Sequence, residues 1–257
     1  MVFTTIDTTE KYRFERLVAD GSDETDIFRT EEGLRTFYLH RGKIELIIQN
    51  QDTTDVHSIN EGEGAVLLPG TTWKINAISG FDSFHVVSHE IFEPPVEIID
   101  DGYGKKEIPL ESSKILKNIK KVKKPWGHEL WIIWTKKHHV LKQIYMVAGK
   151  QSSLQLHKAK LETNFLVEGK ADVIAGLHVD LNDPAYGGNI PMDNLDAFRT
   201  SIQPGEFWTC IPGEVHRVIS MSDYLAYEVS TPELDDVIRL ADDSGRLSGR
   251  IDTEHRE

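Results

Sequence analysis

Four side chains in the C-terminal half of the chain have the types and spacing of a metal site. Gln155 and His157 are two residues apart, so on a β-strand both side chains lie on one face. Glu162 follows five residues later, which leaves room for a tight turn into a new strand, and His216 lies in the downstream segment 211–216. An amide oxygen, two imidazoles and a carboxylate can converge on one divalent ion and leave positions open for water or substrate.

The segments around these residues read as short β-strands separated by turns. Apolar runs at residues 129–134, 140–147, 164–167, 207–211, 215–220 and 224–229 predict strands, and their regular spacing favours a jelly roll. The segment 176–198 breaks this pattern with Asn, Asp, Pro and Gly, and predicts a long loop between the two halves of the metal motif.

The N-terminal half repeats this pattern without the metal ligands. Residues 68–73 align with residues 211–216, which places Trp73 where His216 stands. The same alignment places Arg35 opposite Glu162 and Thr30 opposite His157. Because none of the three N-terminal residues is expected to bind a metal, the sequence predicts a duplicated barrel whose first copy lacks the ion.

Two motifs in the C-terminal half resemble those of the cupin superfamily. Common cupins have His-x-His in the first motif, whereas the first position here is Gln155. Gln-x-His with Glu five residues on is similar to mannose-6-phosphate isomerases, above all to the short cupin domain of the type II (bifunctional) enzymes. The Lys-Pro-Trp-Gly segment at residues 124–127 and the tail at residues 230–246 resemble the same family. The residues that carry the cupin resemblance are Gly149, His157, Glu162, Gly169, Gly205, Pro212, Gly213 and His216.

The resemblance implies a metal-dependent sugar-phosphate isomerase that interconverts aldose and ketose through a metal-stabilised enediolate. One divalent ion is expected, zinc first, with manganese, iron, cobalt or nickel as alternatives. It would be held by Gln155, His157, Glu162 and His216. Lys160 and Arg239 are the candidate catalytic residues, and Lys142, Arg217 and Arg246 the candidate substrate-binding residues.

The sequence also departs from the type II pattern. Those enzymes usually have Arg where Lys160 stands and His where Thr163 stands, and their closing motif has Tyr at Ser244 and Glu at Leu234. Two alternatives therefore stay open: a metal-cupin isomerase or epimerase acting on another sugar, and a non-catalytic sugar-binding bicupin. We favour an enzyme of carbohydrate metabolism. A dioxygenase fits less well, because Gln155 replaces a histidine of an iron site.

Composition and charge limit the possible partners. The net charge of −13 argues against nonspecific nucleic-acid binding as the main role. No apolar run is long enough for a membrane span, and residues 1–7 do not resemble a secretory signal. Cys210, the single cysteine, rules out an internal disulfide and suits a reducing compartment. We expect a cytoplasmic protein that binds a sugar or sugar phosphate and, by analogy with cupins, forms a homodimer.

The predicted fold is all-β, with two tandem cupin (double-stranded β-helix, or jelly-roll) barrels and a short C-terminal helix. The expected domains are a degenerate barrel at residues 1–95, a linker at 96–124 and a metal-binding barrel with its tail at 125–257. Residues 1–30 read as a polar arm with one strand, and His138 and His139 as part of a solvent-exposed turn.

Overall fold

The computed structural model of the chain describes residues 1–21, 24, 27–30, 33–49, 53–90, 96–100, 106–110, 113–179, 192–243, 245 and 249–250. Contacts divide the chain into two compact units, residues 1–120 with 131–141 and residues 121–130 with 142–257. Within the described part, no helix has the length and apolar character needed to cross a membrane.

The first unit contains two antiparallel sheets that enclose an apolar core. Its strands are β1 (Val2–Thr8), β2 (Tyr12–Ala19), β3 (Phe28–Arg29), β4 (Arg35–Arg41), β5 (Lys43–Gln49), β6 (Thr54–Asn60), β7 (Gly64–Leu67), β8 (Thr72–Ala77), β9 (Phe81–Ser88), β10 (Val96–Asp100), β11 (Lys106–Leu110) and β12 (Lys114–Leu116). One sheet has the order β1-β2-β9-β4-β7-β12 and the other β3-β8-β5-β6, while β10 and β11 form a separate hairpin. Leu17 and Phe37 of the first sheet pack with Ile44 and Trp73 of the second.

The second unit repeats this arrangement. Its strands are β13 (Lys120–Lys124), β14 (Gly127–Trp134), β15 (Val140–Met146), β16 (Leu154–His157), β17 (Glu162–Glu168), β18 (Ala171–His178), β19 (Arg199–Ile202), β20 (Phe207–Cys210), β21 (Glu214–Ser220), β22 (Tyr224–Ser230), β23 (Val237–Ala241) and β24 (Gly249–Arg250), with 3-10 helices at Met192–Phe198 and Leu234–Asp236. The two sheets have the orders β13-β14-β15-β22-β17-β20 and β19-β18-β21-β16-β23-β24. Residues 131–141, which comprise the end of β14, the turn after it and the start of β15, belong to the first unit.

Strand alternation fixes which side chains enter the second barrel. On β16, Leu154 and Leu156 pack with Val215 and Ile238 in an apolar cluster. Since successive side chains point to opposite faces, Gln155 and His157 lie on the other face of this strand. Burial of Leu154 and Leu156 on one face therefore places Gln155 and His157 together on the other face, as predicted.

Strand pairing supports the internal repeat. Gln155 pairs with His216 in the second unit as Phe28 pairs with Trp73 in the first. Glu162 pairs with Cys210 as Arg35 pairs with Leu67. Gly42 and Gly169 occupy matching places after β4 and β17, both with positive φ (96° and 92°). A Cβ atom at Gly169 would lie 1.9 Å from the carbonyl oxygen of Asp223, so only glycine fits there. The predicted fold of two jelly-roll barrels is confirmed.

Three local predictions differ from the structure: the N-terminal arm, the exposed histidine turn and the C-terminal helix. The N-terminal arm is instead the pair β1 and β2, because β2 pairs with β9 along its whole length and buries Tyr12 and Phe14. The imidazoles of His138 and His139 are buried rather than exposed, and His139 Nε2 lies 2.8 Å from Thr36 Oγ1. The local sequence of the turn could not reveal this packing, because Thr36 is distant from His139 in the chain.

The predicted C-terminal helix is reduced to a single 3-10 turn, Leu234–Asp236. The residues after it form β23, which pairs with β16 through contacts such as His157 with Val237. The β-branched residues Val237 and Ile238 favour a strand here once a partner edge is available. The predicted long loop falls mostly on residues 180–191, which lie outside the described residues.

Candidate metal centre

A cavity of about 80 Å³ lies in the second unit. This volume is several times the roughly 10–15 Å³ that one water molecule needs, so an ion and a small ligand group can enter. Aromatic and apolar side chains form part of the wall, including Trp126, Met146, Trp208 and Tyr224. The charged side chains of the wall are Lys124, Glu129, Lys142, Lys160, Glu162 and Glu228.

Three of the predicted ligands converge in this cavity. His157 of β16, Glu162 of β17 and His216 of β21 place one donor atom each within 4.8 Å of the others. His216 Nε2 lies 3.4 Å from Glu162 Oε1, and His157 Nε2 lies 3.7 Å from Glu162 Oε2. Among the described residues, no other group of three His, Cys, Asp or Glu side chains meets this distance criterion.

Hydrogen bonds on the far side of each imidazole orient it toward the site. Asp236 Oδ1 lies 2.8 Å from His157 Nδ1, and the carbonyl oxygen of Glu214 lies 3.3 Å from His216 Nδ1. Each Nδ1–H therefore donates outward and leaves the Nε2 lone pair facing Glu162. His157 Nε2 is buried and makes no hydrogen bond in this arrangement. A buried acceptor without a partner is costly, and a divalent cation between the three side chains would satisfy it.

The charges of the ligands suit a cation at neutral pH. Burial lowers the pKa of His216 to about 4, so its imidazole is neutral and able to bind a metal. Burial alone would raise the pKa of Glu162, but Lys160, His216 and His157 outweigh it and hold this pKa well below its usual value. For Asp236, the bonds from His157 and two backbone N–H groups likewise outweigh burial and lower the pKa.

Gln155 lies at the same site, but its amide nitrogen, and not its amide oxygen, faces His216. Its Nε2 lies 3.2 Å from His216 Nε2, while its Oε1 accepts a hydrogen bond of 2.7 Å from Ser153 Oγ. A half-turn of the amide would exchange the two atoms and direct the oxygen at the site. Gln155 can therefore act as a fourth ligand only in this second orientation.

Buried lysines and glutamates extend from the metal centre along the cavity wall. Lys160 Nζ donates to Glu162 Oε2 and, at 2.9 Å, to Glu228 Oε1. Lys142 Nζ lies 3.8 Å from Glu228 Oε1 and 3.6 Å from Glu129 Oε2. Burial lowers the pKa of Lys160, but the two carboxylates outweigh it and hold this pKa well above its ordinary value. Lys160 is therefore an ammonium group that donates hydrogen bonds.

The structure brings the other predicted residues together only in part. Lys142 and Lys160 line the cavity, whereas Arg217 and Arg239 are not among its lining residues. Arg217 donates to the carbonyl oxygen of Ala241 and lies 3.1 Å from Asp243. The buried Arg239 has its Nε 3.7 Å from Asp242 Oδ2. Arg246 lies outside the described residues.

Sequence reasoning missed three acidic residues around the site. Asp236 lies in the tail for which a short helix is predicted, and Glu129 and Glu228 are not among the predicted site residues. A signal was present for Glu228, which is the only charged residue in the strand Tyr224–Ser230. A lone carboxylate within a buried strand is rarely tolerated without a specific partner.

The matching position in the first unit is filled by packed side chains. Trp73, the counterpart of His216, has its ring centroid 4.8 Å from that of Phe28, the counterpart of Gln155. The Arg35 guanidinium lies 5.4 Å from the Trp73 ring centroid and donates to Glu15 at 2.9 Å. Aromatic rings and an ion pair thus occupy the space in which the second unit has its cavity.

The fold matches known structures, while sequence comparisons find no relative. No protein-family model and no curated protein sequence matches the chain. The oxalate decarboxylase of Lactobacillus farciminis in complex with formate matches 90% of this chain and 80% of its own length, with a TM-score of 0.64 at 11% identity. The Bacillus subtilis oxalate decarboxylase, which has Mn(II) centres, matches 93% of this chain and 74% of its own length with the same TM-score and identity.

These similar structures are bicupins, and at such low identity they show the fold alone. The two-barrel fold that the cupin resemblance implied is therefore confirmed. The closer resemblance to mannose-6-phosphate isomerases and the choice of zinc stay predictions.

Proposed function

We propose that this chain is a divalent-metal-dependent sugar-phosphate isomerase of the mannose-6-phosphate isomerase type, with its active site in the cavity of the second unit. The observation that carries the proposal is the buried, unpartnered Nε2 of His157 facing Glu162 and His216. The lysines of the same cavity and the resemblance of residues 121–246 to type II enzymes support the reaction class.

The side chains around the site have distinct roles in this proposal. His157, Glu162 and His216 would hold the ion, and Gln155 would join them after its amide turns. A bound divalent cation would polarise the substrate carbonyl and stabilise the charge that develops on its oxygen. Lys160 and Lys142 place ammonium groups beside the substrate, where they can donate hydrogen bonds to its oxygens. Trp126, Trp208 and Tyr224 exclude water from part of the wall.

The charge balance of the cavity favours an anionic substrate. The lining contains Lys124, Lys142 and Lys160 against Glu129, Glu162 and Glu228, so the side chains alone nearly balance. A bound divalent cation would leave an excess of positive charge in a buried space, which a sugar phosphate can offset.

The identity of the ion is also part of the proposal. Two imidazoles, a carboxylate and an amide oxygen suit zinc, and we propose zinc as the first ion to test. Manganese is the next candidate, because the similarly folded Bacillus subtilis oxalate decarboxylase has Mn(II) centres. Iron, cobalt and nickel follow.

The direct test is turnover by protein reloaded with each metal. We expect conversion of mannose 6-phosphate to fructose 6-phosphate by the wild type, with mannose and oxalate as comparison substrates. His216→Ala should lose both the ion and the activity, whereas His57→Ala, on β6 of the first unit, should keep both. Metal-loaded wild type that leaves mannose 6-phosphate unchanged would refute the isomerase assignment.

The comparison substrates separate the remaining possibilities. Turnover of unphosphorylated mannose alone would indicate an isomerase or epimerase of another sugar. Saturable sugar binding without any turnover would instead indicate a non-catalytic bicupin. Conversion of oxalate to formate would move the protein to the reaction class of the similarly folded decarboxylases.

A further inference from the structure

Glu228 is a buried carboxylate of the cavity that the three metal-binding side chains do not require. It lies on β22 and lines the cavity, and its side chain is 10% exposed. It is not part of the His157, Glu162 and His216 cluster. Burying a carboxylate is unfavourable unless cations accompany it, and Lys160 and Lys142 are both present here.

The position of Glu228 relative to the metal centre is set by one shared ammonium group. Lys160 Nζ donates both to Glu162 and to Glu228. Because each hydrogen bond spans about 3 Å, the two carboxylates lie within roughly 6 Å of each other. Glu228 therefore lies within reach of a substrate that enters the cavity beside Glu162.

Comparison with the first unit shows that the fold does not demand a carboxylate here. Asn164 pairs with Glu228 across β17 and β22, as Phe37 pairs with His85 across β4 and β9. His85, the counterpart of Glu228, is fully buried and stacks on Trp73, with their ring centroids 6.1 Å apart. The second unit, which has the cavity and the candidate metal centre, therefore has a carboxylate at this position, whereas the first unit has an imidazole.

Two neighbours are less suited to accept a proton. Lys160 is placed as a donor between two carboxylates. Glu129 Oε1 lies 3.7 Å from Lys124 Nζ and Glu129 Oε2 lies 3.6 Å from Lys142 Nζ, whereas Glu228 shares Lys160 with Glu162. Glu228 is a cavity-lining carboxylate next to the centre that is not itself a ligand, whereas Asp236 contacts the outer nitrogen of His157 and is not among the lining residues.

We infer that Glu228 is the residue that moves the proton between the two substrate carbons, an assignment that rests on the proposed function. Its carboxylate takes the proton from C2 of the open-chain aldose. The C2–H electron pair forms the C1=C2 double bond, and the carbonyl π pair moves to O1. The carboxylic acid then returns the proton to C1, while the O2 proton passes to O1 and the C2=O bond forms. No further reactant is needed, and Lys142 and Lys160 keep the carboxylate in place.

The test compares isomerisation with exchange of the C2 hydrogen in deuterated water, using mannose 6-phosphate and reloaded protein. Glu228→Gln keeps the size of the side chain and an acceptor for Lys160 but cannot take a proton. We expect it to lose both isomerisation and deuterium incorporation by about 10²–10⁴-fold. Metal content and the dissociation constant for mannose 6-phosphate should stay close to wild type.

Two matched variants decide the outcome. Glu206→Gln, on an exposed turn of the same unit, should behave as wild type. Glu129→Gln removes a second cavity carboxylate that also faces Lys142. Equal losses in Glu129→Gln and Glu228→Gln, turnover within tenfold of wild type in Glu228→Gln, or loss of its metal would each overturn the assignment. A wild type that neither isomerises nor exchanges would refute the proposed function itself, and the role of Glu228 with it.

Discussion

Asp236 Oδ1 lies 2.8 Å from His157 Nδ1, on the side of the imidazole opposite the nitrogen that faces Glu162. The other oxygen of Asp236 accepts hydrogen bonds from the backbone N–H groups of Ala159 and Lys160, at 2.7 and 2.9 Å. One carboxylate thus fixes both the ring of a candidate metal ligand and the turn between the two strands that bear His157 and Glu162.

Asp236→Asn is expected to weaken metal binding by about 10–100-fold, because an amide orients and polarises His157 less well than a carboxylate does. Titration of the stripped protein with zinc, followed by competition with a chelator, measures the change. Asp196→Asn, whose side chain is 92% exposed, is the control and should bind as wild type. An unchanged affinity in Asp236→Asn would mean that Asp236 does not orient the ligand.

Lys160→Met is expected to destabilise the protein by about 3–5 kcal/mol, because it leaves Glu162 and Glu228 buried without their shared cation. Urea unfolding of the stripped protein measures the loss. Lys158→Met, two residues away and exposed, should change stability by less than about 0.5 kcal/mol. Addition of a divalent ion should recover part of the loss, since a cation would again lie beside Glu162.

Because His139 in the first unit is buried, we expect the free energy of unfolding to depend on pH. Burial lowers its pKa from 6.5 to about 3, so the folded state keeps the imidazole neutral where the unfolded chain takes up a proton. Below 6.5 the unfolded state therefore binds more protons, and stability falls as the pH drops toward about 3.

His139→Gln should make this pH dependence shallower by up to about 1.4 kcal/mol per pH unit. Urea unfolding at several pH values on either side of 6.5 measures the slope. His138 and His85, also buried with lowered pKa values, remain in both proteins. His57→Gln, on the edge strand β6, should keep the wild-type slope, and an equal slope in His139→Gln would contradict the prediction.

Trp73→Ala is expected to destabilise the protein by about 3–5 kcal/mol without changing the number of metal ions bound. Trp73 is 1% exposed and packs between Phe28 and Arg35, so its removal leaves a large cavity. Unfolding curves measure the loss of stability, and metal analysis measures the number of ions bound. Ile78→Ala, at a position 51% exposed, is the matched control with little expected effect. A lower metal content in Trp73→Ala would place an ion in the first unit.

The convergence of the candidate metal ligands could be predicted from sequence because their placement depends on local rules. Strand alternation directs Gln155 and His157 to one face, and the repeat of Pro-Gly turns identifies Trp73 as the counterpart of His216. Glu228 could not be assigned in the same way, since its partner Lys160 is 68 residues away. The burial of β2 could not be predicted either, because β9, the strand with which it pairs, is also distant in sequence.

Local propensity was also insufficient at the end of the chain. The acidic residues before Val237 resemble the start of a helix, but Asp236 binds His157 and the following residues pair with β16. Here tertiary pairing overrides the helix signal. Lys142 and Lys160 are predicted as site residues, whereas Glu129 and Glu228, which pair with them, become visible only in the fold.

The interleaved course of residues 121–141 limits how the two barrels can be separated. A cut after residue 120 would deprive the first unit of residues 131–141, and a cut after residue 141 would deprive the second of residues 121–130. The second cut would also remove Trp126 and Glu129 from the wall of the cavity. No single junction therefore yields both barrels whole, so a transplant of the second barrel into another protein must carry the β14–β15 hairpin with it.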